Sequence, residues 1–377
     1  MSMIQFHILR NYAASNLNRD EIGAPKTAMF AGTQRGRISS QCLKRAWRSS
    51  DAFKTLDSYG IRTQYLPELV VEKLKDLGDE ANYAFAAKNK SLFAKLGKSD
   101  NKPKKGDDND GTSDPKDRND SKTAQLMFFS KEDIDACVQA VLNAEGDVKK
   151  LNEEIKKLDS TAAIRPITLD IALFGRMVTD NKFADVDASL QVAHALSTNR
   201  VNQESDYFTA VDDLSAVYRE DAGAGHLGDC DFNSCCYYEY AALDIDQLKR
   251  NLKSSPEALA KLPMLIESLI EAMVYSGPSG KQNSFAAHSL PSVICLEKKS
   301  KKIPVSYANA FEEPVYNNYS IESAKRLAAE IDKTDKKFDT GITERIWFDM
   351  NESNLPQNAK QASSLNEIKT LTASWIE

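Results

Sequence analysis

The chain has 377 residues, of which 41% are hydrophobic and 28% charged, and its net charge is −6. That length allows a large core and either two domains or one domain with big insertions, in a chain of ordinary globular composition. A generally basic, sticky chain is excluded, and no run approaches the ~18 apolar residues of a membrane helix.

Residues 3–10 are rich in strand formers and predict an opening strand. A polar loop through Gly23, Pro25, Gly32 and Gly36 is expected next. Ser39 or Ser40 reads as the N-cap of a helix over about 40–50. That helix has two faces: Cys42, Leu43, Ala46 and Trp47 form an apolar one, and Gln41, Lys44, Arg45 and Arg48 a polar one.

From about 62 to 160 the pattern is helical. Leu66, Leu69, Val70, Leu74 and Leu77 keep an amphipathic period, and Ser130 with Asp133 reads as a capping box before a helix that Gly146 stops. Between these helices, residues 97–122 hold seven Lys or Arg, seven Asp and no large apolar side chain. Such a stretch cannot bury enough surface to offset the cost of ordering, so a disordered loop is expected. Strands are predicted at 166–174, 189–197, 236–245 and 292–297, and a long hairpin extension at about 197–232. After Asp246 the chain reads as mostly helical, with a helix start at Ser255-Pro256, an apolar stripe from Leu265 to Val274, and a last helix opening at Ser364. Strands split by helices predict an α+β fold with insertions.

The charge is unevenly spread. Residues 16–48 carry Arg19, Lys26, Arg35, Arg37, Lys44, Arg45 and Arg48 against only Asp20 and Glu21, a net of +5 on an acidic chain. A solvated helix face would account for one basic helix, but too few acids lie nearby to pair with Lys44 and Arg48. Asn18, Ser39, Ser40 and Gln41 add donors suited to phosphate and sugar oxygens. The pattern therefore predicts a polyanion held at one place, and nothing in it reads bases.

Other features are weaker. Tyr207 and Phe208 lie among acids on the expected hairpin, placed either to wedge between or stack on bases, or to pack in the hairpin's own core or a subunit contact. Gly175-Arg176-Met177 offers a turn, a phosphate contact and a soft apolar surface, although Met is usually core. Lys281 on a glycine loop can reach a phosphate, but the loop lacks the spacing of a nucleotide-hydrolysing P-loop. The six cysteines form no C-x-x-C pair and the four histidines are scattered, so neither a metal nor a cofactor is expected, and the thiols read as reduced in a cytoplasmic protein. No nucleophile motif is present.

Taken in order, Leu17-Asn18-Arg19-Asp20, Arg37-Ile38-Ser39-Ser40-Gln41, Gly175-Arg176-Met177, Ala193-His194-Ala195, Phe208 through Asp213 and Gly280-Lys281-Gln282 resemble one family over nearly the whole chain. It is the CasC family, the backbone subunit of the type I-E CRISPR Cascade complex. The resemblance implies a modified RNA-recognition-motif (ferredoxin-like) palm from 1–60 and 165–377, a helical finger or web insertion at 61–164 with the charged loop 97–122, and a thumb hairpin at 197–232. It implies copies stacked head-to-tail along a CRISPR guide RNA, whose bases pair with target DNA, together with the large, small, guide-capping and guide-processing subunits of Cascade. Asn18, Arg19, Lys26, Arg37, Ser39, Gln41, Lys44, Arg45, Arg48 and Lys281 are expected to hold the guide backbone. Arg176, Met177, Tyr207 and Phe208 are expected where the thumb displaces a base. The subunit is expected not to be an enzyme; the alternative is a target-RNA-cleaving ribonuclease as in type III complexes, using Asp206, Asp212 or Asp213. The charged loop has no counterpart in the family pattern, and the strands lack the usual RNA-recognition aromatic signature.

Overall fold

The computed structural model describes residues 3–56, 58–97, 122–210, 226–352 and 355–376. Nearly all of the charged stretch 97–122, and residues 211–225 with Asp212 and Asp213, lie outside the described residues. The strands are β1 (Met3–Ser15), β2 (Thr27–Phe30), β3 (Thr33–Ile38), β4 (Ile61–Thr63), β5 (Met127–Phe129), β6 (Leu190–Val192), β7 (Ala195–Ser197), β8 (Gln203–Ala210), β9 (His226–Asp244), β10 (Val293–Lys299), β11 (Ile342–Asp349) and β12 (Lys360–Gln361).

The chain divides into two units. One comprises Met1–Leu56, Leu190–Asp246 and Leu262–Glu377; the other comprises Asp57–Ser189 and Gln247–Lys261. The first holds a ten-stranded sheet in the order β12-β11-β10-β1-β9-β7-β3-β2, with β6 and β8 also paired to β9. All of these pairs are antiparallel except β11 with β12. The fold is α+β, as expected. The helix Tyr319–Lys337 packs on β1 and β9. The helix Leu262–Tyr275 packs against Ser40–Arg48 (α1), Asp51–Lys54 and Leu365–Ala373. Met3–Arg10 is buried at every position, so both faces of β1 are covered there, and the Arg10 guanidinium donates to the Met273 carbonyl of the helix Leu262–Tyr275.

The second unit is mostly helical, with a short β4–β5 ladder. Leu66, Val70 and Leu74 of one helix meet Ile134, Cys137 and Val141 of another in its core. Ser130 and Asp133 make the expected reciprocal cap, and Gly146, at φ +77°, follows the helix end.

Several expected elements differ. Residues 166–174 are not a strand: Leu169–Phe174 is a helix, and Gly175 ends it at φ +79°. Leu169 through Leu173 are all buried, so alternate apolar residues there do not mark one face of a strand. Asp170, inside the run, accepts the Gly60 N–H at 3.0 Å. The polar loop after β1 contains the β2–β3 hairpin, whose two-residue turn has Ala31 at φ +48° and Gly32 at φ +74°, the pattern that matches strand twist. The strand at 189–197 is two strands, β6 and β7, interrupted at Ala193-His194. The stretch after Asp246 contains β11 and β12 besides its helices, and the helix from Ser255 breaks at Lys261 into Pro256–Ala260 and Leu262–Tyr275.

Candidate nucleic-acid interface

The basic region is built on the loop joining β1 to β2. Asp20 folds it: its carboxylate accepts the N–H groups of Ile22 and Ala24, both at 3.0 Å, and Gly23 supplies the φ of +90° that closes the turn. Asn16 is fully buried and donates to the carbonyls of Gly23 (2.9 Å) and Asp231 (2.8 Å), so the loop is pinned at the base of the β8–β9 hairpin. Asn18 Oδ1 accepts the Ser39 N–H at 2.9 Å, which joins the loop to the cap of α1. Arg19, Asp20, Glu21, Ile22, Lys26 and Arg37 line one open cleft of about 640 Å³.

Helix α1 follows directly. Ser39 caps it by accepting the Cys42 N–H at 3.3 Å. Leu43 and Trp47 are buried, while Gln41 and Arg45 are exposed and Lys44 and Arg48 are half-buried. Burial pushes the Lys44 amine below its ordinary pKa. Among the described residues, no carboxylate forms an ion pair with Arg19, Lys26, Lys44 or Arg45. A partly desolvated cation without a counter-charge favours an anionic ligand.

Not every expected contact faces outward. Arg35 is fully buried, and its guanidinium donates to the carbonyls of Ser197, Thr198, Phe311 and Glu312. It belongs to the fold and leaves the basic cluster. Ser39 is 7% exposed and its hydroxyl oxygen is engaged as the cap, so with Asn18 it shapes the ridge more than it extends it.

Lys281 is brought to the same region. Gly280 packs directly on the backbone of Asn16 and Leu17, and Lys281 follows at φ +51°, half-buried. The loop continues into Gln282–Phe285, and the Phe285 ring meets Phe232 of β9 at 5.7 Å between centroids.

Tyr207 and Phe208 lie on β8 and point to opposite faces of the hairpin. The Phe208 ring covers Gly228 of the neighbouring strand, where a Cβ would come within 2.6 Å of it. Tyr207 is opposite Asp229 and 66% exposed. Glu204, Asp206, Asp229 and Asp231 make the described hairpin acidic, with no Lys or Arg in either strand segment.

In the other unit, Arg176 and Met177 diverge. Arg176 is buried and donates to Ala184 O (2.9 Å), Phe128 O (3.1 Å) and the Asp133 carboxylate. Its Nε and Nη1 are engaged inside the protein and its side chain is 2% exposed, so burial keeps it from the expected phosphate contact. Met177, next in sequence, is 88% exposed.

Two features of the region are not legible in the sequence. His194 is exposed on the link between β6 and β7 and contacts Arg37, and Ile22 stands 88% exposed on the cleft. Among the described residues no three His, Cys, Asp or Glu side chains are grouped to hold a metal, and no helix is long and apolar enough to cross a membrane.

The sequence profile of the CT1975-like protein family matches residues 4–374. No curated protein sequence matches the chain. A subunit of a solved CRISPR RNA-guided surveillance complex, pre-nicking, superposes with a TM-score of 0.78 at 23% identity, covering 100% of both chains. A subunit of a second CRISPR RNA-guided surveillance complex gives 0.61 at 21% identity, covering 99% of this chain and 98% of that one. Both are likenesses of fold along the full length.

Proposed function

Because the chain belongs to the CT1975-like protein family, we propose that it is the guide-RNA-binding backbone subunit of a Cascade complex of type I-E, the CasC class. The observation that carries this reading is the ridge of cations, Arg19, Lys26, Lys44 and Arg45, which no carboxylate pairs among the described residues, held on a pinned loop and a capped helix of an acidic protein. Such a ridge grips phosphates wherever the guide sequence runs, so the letters are supplied by the RNA and the protein supplies shape. The fold relatives, which come from RNA-guided surveillance complexes, support the same assignment.

In this reading the sheet unit is a palm of the RNA-recognition-motif type, the β8–β9 hairpin is the thumb, and the unit around residues 61–164 is the finger or web. Copies polymerise along the guide and leave its bases free to pair with target DNA, alongside the other Cascade subunits. The role is that of a scaffold and not of an enzyme.

Reversing two charges tests it. Lys44→Glu with Arg48→Glu should abolish guide-dependent assembly while leaving the thermal midpoint close to that of the parent chain; normal assembly would reject the reading. Incubating the assembled complex with complementary RNA and Mg²⁺ tests the scaffold role, because periodic cleavage would show an enzyme.

A further inference from the structure

Arg37 is the most constrained cation of the cleft. Its Nε donates to the Thr27 carbonyl at 3.2 Å, and its Nη1 lies 3.3 Å from His194 Nδ1. A guanidinium has donors only, so Nδ1 must be the acceptor, and the neutral ring then carries its proton on Nε2. Burial, and the charges of Arg37 and Lys26, push the His194 imidazole below its ordinary pKa. These effects all favour the neutral ring that the geometry requires.

Two anchors on different nitrogens fix both the position and the plane of a guanidinium. Among the described residues Nη2 has no protein partner, and Arg37 lines the cleft with Arg19 and Lys26. A planar donor held in one orientation gives up less freedom when an oxyanion docks than a free side chain does.

We propose that His194 is a positioning residue of this cleft: its Nδ1 fixes the guanidinium plane of Arg37 so that the remaining nitrogen is ready for a backbone phosphate of single-stranded RNA. The inference rests on the guide-binding reading above, and it adds a neutral residue on a separate segment of the chain to the machinery of the ridge.

The experiment is the salt dependence of affinity for a fluorescein-labelled single-stranded RNA, measured on the full chain. Each phosphate of a single strand that the protein ceases to neutralise lowers the slope of log K against log salt by about 0.7. Arg37→Ala should do this by removing a charge. His194→Ala removes none, yet should lower the slope by a similar amount and weaken binding about two- to tenfold, the worth of one net hydrogen bond. The double variant should be no worse than Arg37→Ala alone, and His194→Asn, which keeps an acceptor near Nδ1, should recover most of the loss. An unchanged slope in His194→Ala, or losses that multiply in the double variant, would overturn the proposal. So would a fall in thermal midpoint that accounts for the weaker binding and that His194→Asn does not repair. Lys44→Glu with Arg48→Glu, run in parallel, separates the two ideas: full binding there would sink the ridge itself.

Discussion

Gly280 lies so close to Leu17 that a methyl group on it would fall on the Leu17 carbonyl oxygen and come within 2.7 Å of Asn16 O. The backbone it meets cannot yield easily, because the buried Asn16 side chain ties that segment to Gly23 and Asp231. Gly280→Ala should therefore cost about 1–3 kcal/mol of stability through overpacking. It should also displace Lys281 from the basic loop, so RNA affinity should drop beyond what the unfolded fraction explains. Chemical unfolding and RNA titration on the same preparation check both parts.

Arg176 and Met177 should separate cleanly when each is replaced by alanine. Asp133 accepts from Arg176, lies 3.2 Å from Arg165, and accepts the Ser130 N–H at 3.1 Å. Arg176→Ala removes a donor from the Phe128 and Ala184 carbonyls and takes away half of the buried pairing with Asp133, a loss on the order of 3–5 kcal/mol. Met177→Ala removes an exposed side chain and should change stability by less than about 0.5 kcal/mol, with its effect confined to the assembled ribonucleoprotein. Urea unfolding of both variants, followed by assembly on guide RNA, distinguishes them.

The two hairpin aromatics should also differ. Phe208→Ala uncovers Gly228 and removes a cross-strand contact, a cost of about 0.2–1 kcal/mol, whereas Tyr207→Ala takes away a side chain that is mostly in solvent. Limited proteolysis of the hairpin should accelerate in Phe208→Ala and stay at the parent rate in Tyr207→Ala. Equal rates in the two variants would show that the ring does not hold the hairpin.

What can be read from the sequence follows from local signals. Ser39 and the two-faced pattern after it mark α1, and Ser130 with Asp133 marks a cap, because the interactions involved span only three or four residues. The segment 168–175 misleads because a short helix buried on every side has no polar stripe to set its period. Arg35 and Arg37 are two apart on β3 and share one side of the strand. No local signal tells them apart: Arg35 is fully buried because Phe311 and Glu312, far away in sequence, bring carbonyls onto it. His194 is hidden for the same reason, since its meaning comes from Arg37 across the β3–β7 pairing.

Acid should weaken the sheet unit in two stages, both centred on one buried cluster. His7 lies among the rings of Tyr238, Tyr240 and Tyr307, with Nδ1 2.8 Å from Tyr238 Oη and Nε2 3.3 Å from Gln5 Nε2. Burial outweighs the pull of Glu297 and pushes His7 below its ordinary 6.5. Burial would raise Glu297, but hydrogen bonding and charge from His7 and Arg345 hold it down at about 2; Arg345 Nη2 lies 2.7 Å from it. Both folded-state values are depressed, so the stability from these groups is complete above pH 6.5. It declines first as the unfolded chain protonates His7 below 6.5, and again between pH 4.5 and about 2 as Glu297 takes up its proton. The second stage is worth on the order of 3 kcal/mol. Unfolding free energy measured from pH 8 to pH 3 should show both limbs; His7→Gln should flatten the upper one and, because His7 also helps hold Glu297 down, shrink the lower one to the share that Arg345 supplies. An unchanged slope between pH 5 and 6.5 in that variant would show that His7 is not the group responsible.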